Sequence, residues 1–136
     1  MKSEKNHLTK KECELMKILW GSDKPLLISE IIDKADKIAA NSLHPMIKRL
    51  IKNGYIRVAG YIRVSKTKSR LYAPAINIDE YAAMQIEKIE KISSRKLNWN
   101  NILTYFVKHN KKDENVIAEL KEFIEKYEKK NETGID

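Results

Sequence analysis

Hydrophobic residues recur every three or four positions through most of the first fifty residues, which is the spacing of helices that bury one face. In LTKKECELMKILW, Thr9 followed by Glu12 predicts a helix that begins with a capping box, and Gly21 predicts its end. A second helix is predicted in LLISEIIDKADK, whose apolar positions are Ile28, Ile31, Ile32 and Ala35. Both helices are expected to pack into one core.

The stretch NSLHPMIKRLIKNG predicts a third helix with two different faces. It is expected to begin at Asn41 or Ser42, which places Pro45 in the first turn, and to end with Gly54 beyond the cap. Its apolar positions are Leu43, Met46, Ile47 and Leu50, and its outward positions are Asn41, Pro45, Lys48 and Lys52, flanked by His44 and Arg49. One face should therefore be buried and the other polar and basic.

After the third helix the hydrophobic period changes to two, from Tyr55 to Pro74, which predicts a β-hairpin. The sequence SKTKS is expected at its tip, and the return strand is expected to run from Arg70 to Ala73. Three helices followed by a basic hairpin is the element order of a winged helix-turn-helix domain.

The first strand of this hairpin contains a repeat, GYIRVA followed by GYIRVS, over residues 54 to 65. Because the unit has six residues, a straight strand would place Arg63 on the same face as Arg57. By the same parity, Ile62 and Val64 would share the face of Ile56 and Val58. A bulge or bend at Gly60, which would turn the second copy away, is the alternative.

The remainder of the chain predicts three amphipathic helices, over residues 78 to 95, 99 to 108 and 113 to 130. They expose more apolar surface than they can cover among themselves, which favours pairing with a second copy of the chain. The fold class is thus mainly α with a small β-hairpin: a winged-helix DNA-binding domain over residues 1–77 and a helical dimerisation region over residues 78–136. The residues expected at the dimer interface are Ile86, Ile89, Ile102, Phe106, Val116, Leu120, Phe123, Ile124 and Tyr127.

Positive charge is concentrated in the first part of the chain. The net charge is +8, and residues 1 to 77 carry 16 Lys and Arg against 7 Asp and Glu, a net charge of +9. No carboxylate occurs between Asp36 and Asp79. Because ordinary protein surfaces mix both signs, this stretch indicates a polyanionic partner.

Other classes of protein find little support in the sequence. A single cysteine, Cys13, lies on the apolar side of the first helix and is expected to be a core residue. The three histidines are far apart and no glycine loop suited to phosphate is present, so neither an enzyme nor a metal or cofactor site is expected. Without a signal peptide or a membrane span, the expected location is the cytoplasm.

Three segments, LTKKECELMKILW, IKRLIKNGYI and RLYAPAI, occur in this order and resemble the penicillinase-repressor family of the BlaI/MecI type. The resemblance extends from about Leu8 to Lys130 and includes NNILTYFV near the C-terminus. It implies a homodimeric repressor that occupies an inverted-repeat operator and controls β-lactam-resistance genes of the penicillinase type. It also implies a membrane-bound sensor protease as a partner, which triggers cleavage in the C-terminal region.

This chain departs from the family at two places. Relatives are cut at an Asn-Phe bond that aligns with Tyr105 and Phe106, and the Asn is absent here. Relatives also carry other polar or basic residues on the reading face, so their operator sequence is not carried over to this chain.

The predicted DNA contacts divide into two groups, because residues near the N-terminus of a recognition helix read bases while later cations hold phosphates. The residues expected to face the bases are Asn41, Ser42, His44 and Pro45. Those expected to bind phosphates are Lys48, Arg49, Lys52, Arg57, Arg63, Lys66, Lys68 and Arg70. For Arg49, an ion pair with Asp33 or Glu30 is an equal alternative.

Two alternative functions remain open at the level of sequence. A winged-helix regulator of a different regulon would share every feature above. A winged-helix module for protein association or single-stranded RNA would instead use aromatic stacking, for which Tyr55 and Tyr61 on the outer strand face are the candidates.

Overall fold

The computed structural model of the chain describes residues 7 to 109 and 115 to 132. These residues form six helices and one antiparallel hairpin, as the sequence predicted. In order they are α1 (Lys10–Trp20), α2 (Ile28–Lys34), α3 (Ala40–Lys52), β1 (Ile56–Val64), β2 (Thr67–Pro74), α4 (Ile78–Ser93), α5 (Trp99–His109) and α6 (Asn115–Glu132). The chain divides into two compact units, and the boundary lies between Ser93 and Ser94.

Helix α1 begins with the predicted capping box. The Glu12 backbone N–H donates to the Thr9 hydroxyl at 3.2 Å, and the Thr9 N–H donates to the Glu12 carboxylate at 2.9 Å. These two bonds satisfy donors that have no partner within the helix. The helix then buries Leu15, Met16 and Leu19, so its cap holds one wall of the core in place.

One hydrophobic core joins α1, α2, α3 and the base of the hairpin. The segment before α2 is tied to β2 by two backbone hydrogen bonds between Leu26 and Tyr72, of 2.9 and 2.8 Å. This bridge positions the hairpin against the helices, because both residues are buried. The largest fully buried side chains are Leu15, Met16, Leu19, Leu26, Ile31, Leu43, Leu50 and Tyr55.

Helix α4 is attached to the same core through Tyr81. The Leu8 N–H donates to the Tyr81 hydroxyl at 3.1 Å, and the Tyr81 ring lies 6.0 Å from that of Tyr55, edge to face. Beside it, the Trp20 indole N–H donates to the Ile76 carbonyl at 2.9 Å. These contacts explain why the first compact unit includes α4, which the division by sequence had grouped with the later helices.

Helix α3 begins earlier than predicted, at Ala40, and its N-cap Ala39 makes no side-chain hydrogen bond. The start was misplaced because neither alanine carries a capping group that would mark it. Pro45 is consequently the sixth residue of the helix and lies inside it, which corrects its predicted place in the first turn. Since proline has no N–H, the Asn41 carbonyl four residues earlier receives no helical hydrogen bond from Pro45.

The end of α3 matches the prediction. Gly54 adopts a φ of 85°, the left-handed conformation that glycine accepts without strain. Its N–H donates to the Ile51 carbonyl at 3.1 Å, and the Tyr55 N–H donates to the Leu50 carbonyl at 2.8 Å. This pair of bonds is the Schellman motif. It turns the chain from α3 directly into β1.

The hairpin differs from the prediction in length and in register. Its return strand is β2, longer than the expected residues 70 to 73, and the tip is a two-residue turn in which Ser65 has a φ of 60°. Val58 pairs with Tyr72 while Gly60 pairs with Leu71, so Ala59 is an extra residue in β1. This β-bulge reverses the alternation of side chains beyond it.

The later helices lie close to their predicted positions. Helix α4 ends at Ser93, two residues early, and α5 ends at His109, one residue late. The predicted start of the last helix at Asp113 falls outside the described residues. None of the described side chains of α4, α5 and α6 is fully buried, and no described helix is both long and apolar enough to span a bilayer.

The capping box of α1 gives a test of this packing. Thr9→Ala is expected to lower the free energy of unfolding by about 1 kcal/mol, because the Glu12 N–H loses its acceptor. Thr9→Ser keeps the hydroxyl and should unfold close to wild type. Urea unfolding followed by circular dichroism measures both variants, and a Thr9→Ala protein as stable as Thr9→Ser would contradict the role of the cap.

Candidate nucleic-acid interface

The first half of α3 presents an uncharged polar surface to solvent. Asn41, Ser42, His44 and Pro45 are all exposed, as the helical period predicted. They are held outward because the opposite face of the helix is locked into the core by Leu43, Met46, Ile47 and Leu50. Small amide, hydroxyl and imidazole groups of this kind can donate to or accept from base edges.

Cationic side chains continue the same exposed surface along α3. Lys48, Arg49 and Lys52 are exposed, and Arg49 makes no ion pair with Asp33 or Glu30 among the described residues. Glu30 is engaged elsewhere: it accepts from the Leu27 N–H at 3.0 Å and lies 3.7 Å from the Lys24 ammonium. The structure therefore does not show the alternative of Arg49 as an internal brace.

The hairpin has two faces whose composition follows from the register. Directly paired residues share a face, so Tyr61 with Arg70 and Arg63 with Lys68 lie on the face that carries the buried Tyr72. Arg57 pairs with Ala73 and lies on the opposite face. The prediction that Arg63 repeats the position of Arg57 is wrong, because the bulge at Ala59 intervenes.

The same reversal applies to the apolar residues of the repeat. Ile62 pairs with Ser69 and Val64 with Thr67, which places both on the face opposite to Ile56 and Val58. They are 41% and 46% exposed, so the second copy adds nothing to the core. The parity argument failed here because it assumed an unbroken strand.

Two hollows border the hairpin, and the first lies between it and α3. The first has a volume of about 470 Å³ and is lined by His44, Pro45, Ile47, Lys48, Ile51, Arg70 and Tyr72. The second, of about 480 Å³, lies between the start of α2 and the hairpin, and His44 is its one residue from α3. It is lined by Leu27, Ile28, Ser29, His44, Val64, Lys68, Ser69, Arg70 and Tyr72. Cations from α3 and the hairpin thus border one concave surface with an apolar floor.

The aromatic residues proposed for stacking are not equivalent. Tyr55 is only 1% exposed, and burial together with the neighbouring Tyr81 raises the pKa of its phenol. It belongs to the core, which corrects its expected place on the outer strand face. Tyr61 is 56% exposed, and the Lys68 ammonium lies 5.8 Å from the centre of its ring. This cation–π contact was not predicted from sequence, because it depends on the register.

Cys13 and the side chains able to bind a metal are the other candidates for chemistry among the described residues. Burial, followed by the charges of Glu12 and Glu14, raises the pKa of the Cys13 thiol, which disfavours the nucleophilic thiolate. No set of three His, Cys, Asp or Glu side chains is placed to hold a metal ion among the residues described.

The residues predicted to form a dimer interface lie on α4, α5 and α6. Ile86, Ile102, Val116 and Leu120 are half-buried, whereas Ile89, Phe106, Phe123, Ile124 and Tyr127 are exposed. On α6 the rings of Phe123 and Tyr127 pack together at 4.5 Å, which makes a continuous apolar ridge. Tyr105 and Phe106, the predicted cleavage position, lie inside α5.

The model of a family described as penicillinase repressor matches residues 8–126, which is nearly the whole chain. Among curated proteins, none matches the sequence.

Proposed function

Because the chain belongs to the penicillinase repressor family, whose members are transcriptional repressors and not enzymes, we propose that it binds duplex DNA as a homodimer on an inverted-repeat operator. The observation that carries the proposal is the exposed face of α3, where polar side chains in the first half are followed by cations in the second. A recognition helix has this order, because its N-terminal residues enter the major groove while its later residues approach the backbone.

Base reading is assigned to Asn41, Ser42 and His44, with Pro45 supplying an apolar contact. The amide of Asn41 can form the bidentate contact with adenine, and the imidazole of His44 can address guanine. The Asn41 carbonyl, which Pro45 does not satisfy, is a further acceptor on the same surface. Together these groups offer donors, acceptors and an apolar edge within about one helical turn and a half.

Phosphate binding is assigned to the cations that border this surface. Lys48, Arg49 and Lys52 on α3 are joined by Lys66 at the hairpin tip and by Arg63, Lys68 and Arg70 on the hairpin face that carries Tyr72. No carboxylate between Asp36 and Asp79 competes for them. Neutralising several phosphates at once makes binding strongly dependent on salt, with a slope of roughly −0.9 per phosphate contact.

Dimerisation is assigned to the later helices. The apolar ridge of α6 cannot be covered by its own helix, and about half the surface of Phe123, Ile124 and Tyr127 remains open to solvent. A second copy offers the same ridge and gives the twofold symmetry that an inverted repeat requires. The residues of the proposed interface are those predicted from sequence on α4, α5 and α6.

Control of penicillinase-type resistance genes and release by a membrane-bound sensor protease are proposed from family membership alone. The bond between Tyr105 and Phe106 lies within α5, where Tyr105 stacks on His109 at 4.0 Å. A protease acts on opened backbone, so cleavage there requires α5 to unwind first. Within a single chain no side chain of α5 is buried, so little packing within that chain opposes this unwinding. A cytoplasmic location follows from the proposed role.

A single-stranded nucleic acid is the second candidate partner, and one observation favours it. Tyr61 is exposed on the cationic face of the hairpin and offers a ring on which a base can stack. Since Tyr55 is buried, Tyr61 stands without the second ring that the stacking hypothesis proposed. Duplex DNA is therefore the better-supported partner, and a competition with single-stranded RNA distinguishes the two.

Two substitutions on α3 separate base reading from phosphate binding. Lys52→Ala is expected to weaken all duplexes alike and to reduce the salt slope by roughly 0.9. Asn41→Ala is expected to leave the slope unchanged and to lose about 1–3 kcal/mol of discrimination at one base pair per half-site. Fluorescence anisotropy with the preferred duplex and with single-base variants, at two or more salt concentrations, measures both quantities. Identical behaviour of the two variants would contradict the assignment.

Two matched substitutions on α6 test the dimer. Phe123→Asp introduces a charge into the apolar ridge and is expected to raise the dimer dissociation constant by about 100-fold or more. Ala118→Asp adds the same charge at an exposed position on the opposite side of the helix and should leave the dimer intact. Sedimentation equilibrium measures the association state of each. A Phe123→Asp protein that remains as dimeric as Ala118→Asp would show that this ridge is not the interface.

A further inference from the structure

The two copies of the repeated pentapeptide do not occupy equivalent positions in the hairpin. Before the bulge, Arg57 pairs with Ala73 and Val58 with Tyr72, whereas after it Gly60 pairs with Leu71. These two neighbouring pairs are thus two positions apart in β1, because Ala59 lies between them, but one position apart in β2. As a result each side chain of the second copy lies on the face opposite to its counterpart in the first.

The bulge does not depend on a backbone conformation at Gly60 that only glycine can adopt. Gly60 has no positive φ, and a Cβ built on it would meet the Leu71 side chain at 4.0 Å, an ordinary contact distance. The register is set instead by the pairing of the hairpin from its two-residue turn to its base. The exchange of faces therefore results from the strand pairing along the whole hairpin and not from the conformation of Gly60.

The exchange collects the charges of the outer hairpin on one face. Arg63 and Lys68 form one pair and Tyr61 and Arg70 form the next, all on the side that carries Tyr72. Arg70 and Tyr72 also line a hollow with His44 and Lys48 of α3, so this side of the hairpin is continuous with the exposed surface of the proposed recognition helix. The opposite side of the outer hairpin carries the apolar Ile62 and Val64.

We infer that the second copy of the repeat forms a DNA-backbone clamp, in which Arg63, Lys68 and Arg70 bind the phosphates that flank the bases read by α3, whereas Arg57 takes no part. This inference rests on the proposed function and specifies which cations of the hairpin carry it. It removes Arg57 from the phosphate-binding residues expected from the sequence and leaves the other hairpin cations in place.

The dimensions of the hairpin agree with this role. β2 begins at Thr67, five residues before Tyr72, and at about 3.4 Å per residue the hairpin extends roughly 17 Å beyond the core. Such a reach is enough to follow the backbone beside a major groove about 12 Å wide. The ring of Tyr61 holds the Lys68 ammonium at 5.8 Å, which restricts the lysine before DNA arrives.

Arg57 and Arg63 provide a matched pair for the test. Both are exposed arginines on β1 in the same pentapeptide, so Arg57→Ala and Arg63→Ala remove the same charge from the same local sequence. Arg63→Ala is expected to lower affinity for duplex DNA by about 5- to 10-fold and the salt slope by roughly 0.9, as for one lost phosphate contact. Arg57→Ala should stay within about twofold of wild type and keep its slope.

Exchanging the residues at positions 62 and 63 tests whether binding depends on the face of β1 that carries the arginine or only on its position along the strand. The double variant Ile62→Arg/Arg63→Ile keeps the composition and net charge but moves the guanidinium to the opposite face. It is expected to bind as weakly as Arg63→Ala, because the arginine now points away from the DNA. Thermal melting of each variant, with a transition close to that of wild type, establishes that the hairpin and core remain folded.

The outcomes distinguish this inference from the proposed function. Wild-type protein that binds no duplex would overturn both. If wild-type protein binds duplex DNA but Arg57→Ala lowers the affinity as much as Arg63→Ala does, the clamp alone is overturned. Full affinity in the permuted variant would also overturn the clamp alone. Loss of affinity in Arg63→Ala and in the permuted variant, with Arg57→Ala near wild type, would support it.

Discussion

Burial of one face of α3 is the constraint on which the rest of the molecule depends. Leu43, Met46, Ile47 and Leu50 are each less than 5% exposed and share one core with α1, α2 and the base of the hairpin. A helix advances about 100° per residue, so four buried positions on one side leave no freedom of rotation. The outward direction of the polar and charged side chains on α3 follows from this packing. The packing of α3 into the core therefore fixes the exposed candidate site on a rigid helix.

The hairpin is fixed to the same core by contacts that lie far apart in the sequence. A Schellman motif turns the chain from α3 into β1, and the bridge between Leu26 and Tyr72 holds β2 against the segment before α2. Tyr81 of α4 packs on the other side through Tyr55 and Leu8. These attachments make the base of the hairpin rigid while its outer half extends into solvent.

Much of this arrangement could be predicted from local sequence. The capping box at Thr9, the apolar stripe of α3 and the left-handed Gly54 each depend on residues within a few positions, and each is present. The bulge at Ala59 and the burial of Tyr55 could not be predicted, because pairing with β2 and contact with α4 decide them. The helical period alone identified the exposed residues of α3, but the faces of the hairpin could be assigned only from the pairing register of β1 and β2. The bases that α3 is proposed to read depend on a partner absent from the sequence.

Selection of bound duplexes from a random-sequence library, followed by hydroxyl-radical footprinting of the enriched sequence, tests the central claim most directly. The account predicts an inverted repeat with two protected regions on one side of the DNA, separated by about 10–10.5 base pairs or a multiple of that spacing. Protection should extend into the backbone beside each half-site, where the hairpin lies. Failure of any duplex to be enriched, or a single asymmetric site bound no better than single-stranded RNA, would contradict it.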